Sequence, residues 1–240
     1  MKRKRNFLLA KFGKKEHLES LIAGNLRLTA IDVYRKIENN FMGDDWEGYI
    51  PVDPSTISLK NSKGEVIHLP SPLSVKFSFV DYGQIPVFCA SILNSNVMDK
   101  VSENSFMLKE SFKCEMEKFL DGLDEKDKYI LLFNSDELIN NLKNSIYFKN
   151  KTIAYISQPV VYKDFKNYSS FFKNLNPYNP TPDAYDLCFI KRNIYCWQNE
   201  WRLIVDGTEK VLDLNSNNTV TLQIPPLENF SLYHISEFFS

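Results

Sequence analysis

Glycine is scarce in this chain of 240 residues: there are eight, and none fall into the spacing G-x-G-x-x-G or G-x-x-x-x-G-K-[ST]. The first absence excludes a doubly wound dinucleotide fingerprint, the second a phosphate loop. Histidine is scarcer still. His17, His68 and His234 stand far apart, with no HxxxH or HExxH pairing, so no metal site is expected, because zinc centres want clustered His and Cys. Four cysteines (Cys89, Cys114, Cys188, Cys196) lack CxxC spacing, which predicts neither a zinc knuckle nor a redox pair but a reduced, cytoplasmic protein. There is no GxSxG elbow and no evident Cys–His pairing. An excess of one charge is missing too. The formal net charge is -1, so no global field draws the chain to nucleic acid or anionic lipid, although "KRKR" at Lys2 to Arg5 is a local basic run. The apolar run behind it, "FLLA", is too short for the core of a signal peptide, and no run reaches the length of a membrane span. Whatever chemistry exists must use carboxylates, amides, arginines and hydroxyls.

What is present is a hydrophobic content of 43%, with 14% aromatics, enough for a substantial core. One domain over residues 1–240 is expected. "NFLLAKF" reads as a first strand, "KKEHLESLIAG" as a short helix stopped by Gly24, and "NLRLT" as an alternating strand. A short helical piece and an acidic loop follow in "AIDVYRKIENNFMGDDWEG", then an irregular hairpin with the turn "NSKGE". "LSVKFSFVD" and "IPVFCAS" predict two strands, residues 106–120 a helix, "KYILLF" a strand, "SDELINNLKNSI" a helix capped by Ser135, and "TIAYIS" a strand. Residues 163–185 form a long Asn-, Pro- and aromatic-rich connection, of a length usually functional or disordered. "LCFIK", "CWQNEWRLIV", "KVLDL", "TVTLQI" and "FSLYHI" complete an α+β chain with more strand than helix.

The stretch "NIYCWQNEWRLIV" (residues 193–205) reads as a strand with an unusual polar load. Period-two alternation puts Gln198, Glu200 and Arg202 on one face, and Trp197, Asn199, Trp201 and Leu203 on the other. Two readings follow: a wet strand face whose Glu and Arg pair with neighbouring strands, or an active site.

Gln198-Asn199-Glu200 is similar to the Q-x-E or E-x-E motif on the catalytic strand of the ADP-ribosyltransferase fold. The wider "FIKRNIYCWQNEWRLI" (189–204) resembles a bacterial domain family with the pattern Phe-x-Lys, Trp, x-x-Glu-Trp-Arg-Leu-Ile. "MGDDWEG" (42–48) resembles its Gly-Asp-x-x-Glu-Gly loop and "IPVFCAS" (85–91) its middle strand. The opening, "LLAKFGKKEHLESLIAGNLRLTAIDVY", resembles the same family's first strand, helix and strand, and also DarT-type toxins and RNA 2′-phosphotransferase relatives; the resemblance as a whole extends to CmdT-like toxins. The resemblance implies an ADP-ribosyltransferase-like α+β domain, with two packed, mainly antiparallel sheets and flanking short helices.

It also implies a chemistry: transfer of ADP-ribose from NAD through an oxocarbenium-like transition state, which a carboxylate stabilises more than it stabilises the ground state. Glu200 is then the catalytic candidate and Gln198 its uncharged neighbour for orienting acceptor or ribose. Arg27, with Thr29, is the first choice for the pyrophosphate, since a guanidinium matches phosphate oxygens; Arg35 and Lys11 are rivals. Ser91 would support Glu200, and Phe12 or Tyr34 would stack on nicotinamide. Asp44 and Glu47 would shape the NAD or acceptor loop. The implied role is an intracellular toxin of a toxin–antitoxin or anti-phage system, with RNA or another nucleic acid, or a protein, as acceptor. A neutralising antitoxin, and a chaperone, are partners of that reading; a non-catalytic interaction module is its rival.

Overall fold

The computed structural model describes residues 6–36, 44–52, 59–67, 75–77, 82–151, 153–165, 184–207, 212 and 214–239. The basic run at Lys2 to Arg5, most of the long connection (166–183) and most of "KVLDL" lie outside them. Eight strands form one antiparallel sheet: β1 (Leu8–Gly13), β2 (Asn25–Ala30), β3 (Pro86–Ile92), β4 (Tyr129–Asn134), β5 (Ile153–Pro159), β6 (Glu200–Gly207), β7 (Thr219–Gln223) and β8 (Phe230–His234). The main path runs β5-β6-β3-β1-β4-β8, and β2, carrying β7 on its far side, joins at β3. The α+β class stands. Where two packed sheets are expected, these eight strands join into one sheet that forks, and the other strands among the described residues pair only in small two-stranded sheets.

The fork lies along β3. One side pairs with β6 from Val87 to Ser91. The other pairs with β1 only at Ser91 and Ile92, and with β2 only at Pro86 and Val87. Phe88 and Cys89 have no strand partner on that side, so β1 and β2 diverge there. Both limbs nevertheless serve one core: Leu26, Leu28 and Leu222 of the short limb pack with Leu9, Phe88, Leu131, Trp201 and Leu203 of the long one. Helix α2 (Ile31–Lys36) follows β2, and helices α1 (Lys15–Ile22) and α4 (Ser135–Asn144) close this core with Leu18, Leu21, Leu138 and Leu142. A second core on the opposite face holds Ala10, Phe12 and Ile130 against Phe112, Met116 and Leu120 of α3 (Glu110–Leu120).

Most expected elements are present, with informative shifts. The helix expected over 106–120 begins only at Glu110, because Ser105–Leu108 pairs as a hairpin with Met98–Ser102. Helix α4 is capped by Asn134, whose side chain accepts from the Asp136 N–H; the buried Ser135 instead accepts from the Phe7 N–H at 2.9 Å. Asn134→Ala is therefore expected to cost about 1 kcal/mol, read as a lower urea midpoint, whereas an unchanged midpoint would show the cap to be idle. Gly24 does stop α1: its φ is +92, and a Cβ there would sit 2.2 Å from the Ile224 carbonyl oxygen, so no other residue fits.

The main correction concerns residues 193–205. The strand begins only at Glu200. Asn193–Gln198 is a 3₁₀ helix, and Asn199 is left-handed (φ 44, ψ 49). Asn is among the few residues that tolerate this conformation. Its side chain holds the turn, donating to the Ile92 carbonyl at 2.6 Å and to Asn94 Oδ1 at 3.0 Å. The local β propensity is overruled because β5, the outer neighbour of β6, ends its register at the Pro159–Trp201 pair. Gln198 and Glu200 are thus not successive residues of one strand face. Trp197 and Trp201 also part company, since Trp201 sits in the first core and Trp197 against the second.

Candidate functional site

Four charged side chains meet on the α3 face of the sheet beside the fork. Glu200 and Arg202 alternate along β6 and so share this face. Lys191 comes from the short strand Ile190–Arg192, which pairs in parallel with Val161–Lys163. Glu47 comes from the acidic loop. Arg202 donates through Nε to Glu200 at 2.6 Å and through Nη2 to Glu47 at 3.0 Å. Lys191 Nζ lies 3.1 Å from Glu47 and 3.2 Å from Glu200. The four contacts close a ring of alternating sign, with two cations and two carboxylates. All four residues are nearly sealed from solvent, with exposures between 0% for Glu47 and 6% for Glu200. Such burial is tolerable only because every charge has opposite neighbours. Two hydrogen bonds anchor the ring further: Arg202 Nη1 donates to the Cys188 carbonyl at 2.6 Å, and Lys191 to Gln198 Oε1 at 2.7 Å.

The acidic loop is held by its own contacts. Asp44, fully buried, accepts from the Arg192 N–H at 2.9 Å and from Arg192 Nε at 2.6 Å. Arg35 donates to the Glu47 carbonyl and to Asp32, each at 2.6 Å, and stacks on Tyr49. Gly48 turns the chain at φ +69, where a Cβ would come within 2.7 Å of Arg35 Nη2. Far from being a surface turn, Asp44 to Gly48 is a built part of the interior.

Burial opposes the charge of Glu200, but Arg202 and Lys191 outweigh it and hold the carboxyl well below its usual value of 4.5. A depressed folded pKa gives stability that is present above the unfolded value and lost as pH falls through the folded one. The urea midpoint is therefore expected to drop steadily below about pH 4.5, and Glu200→Gln to flatten that decline; equal slopes in the two proteins would refute the assignment. Cys89, opposite Arg202 on β3, is raised to about 12, first by burial and then by the Glu200 charge. It stays a thiol and is no nucleophile at neutral pH. Burial, then Cys89, keeps the Tyr34 phenol protonated as well.

Two adjoining cavities open beside this centre. The first, of about 110 Å³, has Glu200, Gln198 and Ser91 in its lining with an apolar wall that includes Phe12, Phe119 and Trp197. The second, of about 250 Å³, occupies the fork between β1 and β2 and contains Arg27, Thr29 and His17. Lys11, Phe12, Tyr34 and Cys89 line both. Lys11 Nζ donates to the Cys89 carbonyl at 2.6 Å, using the acceptor that the fork leaves without a strand partner.

Of the residues singled out in the sequence, Glu200, Gln198, Ser91, Lys11, Phe12 and Tyr34 thus line the first cavity, and Arg27 and Thr29 the second. Ser91 stands directly opposite Glu200 in the β3–β6 register. Arg35 lines neither cavity and braces the acidic loop instead. Unforeseen participants are Lys191, Cys89, Trp197, Phe119 and Tyr162, whose hydroxyl accepts the Glu200 backbone N–H at 2.9 Å. Lys191 stood inside the quoted "FIK" pattern, but nothing in its spacing brought it to Glu200, because the 3₁₀ turn does that.

Among the described residues, no group of three or more His, Cys, Asp or Glu side chains is arranged to hold a metal ion, and no helix is long and apolar enough to cross a membrane. No protein-family model, curated protein or solved structure matches the chain.

Proposed function

We propose that the protein is an NAD-dependent mono-ADP-ribosyltransferase of ADP-ribosyltransferase-like fold, working inside a bacterial cell as a toxin in anti-phage defence. The observation that carries this reading is Glu200, paired with Arg202 and Lys191, in the lining of an aromatic-walled cavity that adjoins a second cavity lined by Arg27. A carboxylate kept charged at every physiological pH suits the stabilisation of an oxocarbenium-like ribose and does not suit general-acid work. The residues fit the parts of NAD. Phe12, Tyr34 and Trp197 supply faces for a nicotinamide ring, Arg27 and Lys11 supply cations for the pyrophosphate, and Gln198 and Ser91 supply uncharged polar groups beside the ribose. The fork in the sheet supports the assignment, since it sets the two cavities side by side, with Lys11, Phe12, Tyr34 and Cys89 in the lining of both.

Nucleic acid, with RNA favoured, is the proposed acceptor, on the strength of the DarT-like opening and the basic run at Lys2 to Arg5. A toxin of this kind calls for a neutralising antitoxin and accommodates a chaperone. One observation favours a second reading: the closed charge ring gives Glu200 a structural task, as expected of a non-catalytic interaction module. The deciding experiment is nicotinamide release from NAD by the purified protein, with cellular RNA, DNA and protein offered separately and the label followed. Label on RNA supports the transferase and its proposed acceptor. Label on protein keeps the enzyme and changes its acceptor. No release with any acceptor leaves the module.

A further inference from the structure

We infer that Glu47 is a positioning residue for the proposed transfer: it completes the four-charge ring and so fixes the net charge that Glu200 presents to the reacting ribose. The inference rests on the transferase reading.

The geometry separates Glu47 from the chemistry and ties it to Glu200. Glu47 is fully buried and is absent from the lining of both cavities. Its Oε1 takes both cations, Arg202 at 3.0 Å and Lys191 at 3.1 Å. These are the same two groups that contact Glu200, at 2.6 and 3.2 Å. Glu47 therefore competes with Glu200 for each of them. With both carboxylates ionised, the ring is neutral. Without the Glu47 charge, two cations face Glu200 alone and the centre carries a net positive charge. Such a centre opposes positive charge arriving at the ribose carbon. The nicotinamide of NAD is already cationic when it binds, so the penalty appears chiefly as charge moves toward the carboxylate, which is in the transition state.

The loop is built to keep this charge in place. Asp44 grips Arg192, the residue after Lys191 in the chain, and Arg35 grips the Glu47 carbonyl. One cation of the ring and the second carboxylate are thus fixed to each other independently of Glu200.

The test compares wild type, Glu47→Gln and the double variant Glu47→Gln/Lys191→Met in nicotinamide release from NAD, with folding checked by circular dichroism. Glu47→Gln keeps the shape and removes the charge. It is expected to lower kcat by about tenfold or more, the scale of one close charge interaction, with KM for NAD changed by less than about threefold. The double variant restores a balanced Glu200–Arg202 pair, and most of the lost kcat is expected to return. A residue that only held the loop would show no rescue when a second ring member is removed. An active wild type with an unaffected Glu47→Gln, an effect confined to KM, or a double variant worse than the single would overturn the inference and leave the transferase intact. A wild type that releases no nicotinamide would overturn both.

Discussion

On the proposed transferase reading, Glu200→Gln is expected to reduce nicotinamide release by about 10²- to 10³-fold, the usual effect of removing one preorganised electrostatic group from an active site. The amide keeps the size of the side chain and still accepts from Arg202, so the loss reports charge rather than shape. Two controls make the result legible. Binding of NAD, followed by calorimetry, is expected to change little, because Arg27 and Lys11 are untouched and the cavity walls remain. The near- and far-ultraviolet dichroism is expected to stay native, because Glu47 still pairs with both cations. Turnover equal to wild type would remove Glu200 from the chemistry and return it to the role of a buried partner for Arg202.

The largest effect on folding is expected at Arg202. Its guanidinium is 1% exposed and spends three nitrogens on three partners: Glu200, Glu47 and the Cys188 carbonyl. Arg202→Met leaves two buried carboxylates with Lys191 alone and strips the carbonyl of that donor. Breaking a buried pair from one side typically costs about 3–5 kcal/mol, to be read as a fall in the urea midpoint at unchanged slope. Arg202→Lys is expected to recover only part of this, because a single ammonium cannot reproduce a planar fork with three directed bonds. A loss below about 1 kcal/mol, within the range of a surface pair, would mean that the ring contributes little to the fold.

Much of this arrangement was legible in the chain. Alternation in "NLRLT" put Arg27 and Thr29 on one face of β2, and the structure keeps them together in the second cavity. Glu200 and Arg202 share a face of the strand, as their spacing predicts, but they pair with each other rather than across to neighbouring strands. What could not be read was long-range. Asp44 meets Arg192 across 148 residues, and no local pattern encodes that contact. The 3₁₀ turn over Asn193–Gln198 was hidden because its residues have strand propensities, and the contacts that hold it, from Asn199 to Ile92 and Asn94, are long-range. The cap of α4 was misread by one residue because Ser135 and Asn134 are both good caps, and the Phe7 N–H claims the serine.

The left-handed Asn199 also divides the site into parts that can be tuned apart. Glu200, first residue of β6, is held by the sheet register and by Tyr162. Gln198 and Trp197 ride on a short turn before it, whose Ile194 and Cys196 are exposed. On the proposed transferase reading, changes at these two exposed positions can reshape the surface that an acceptor meets, while Gln198 keeps its bond to Lys191 and the charged centre its geometry. On that reading, a lineage could exchange targets by altering the exposed residues of this turn without rebuilding the charged centre.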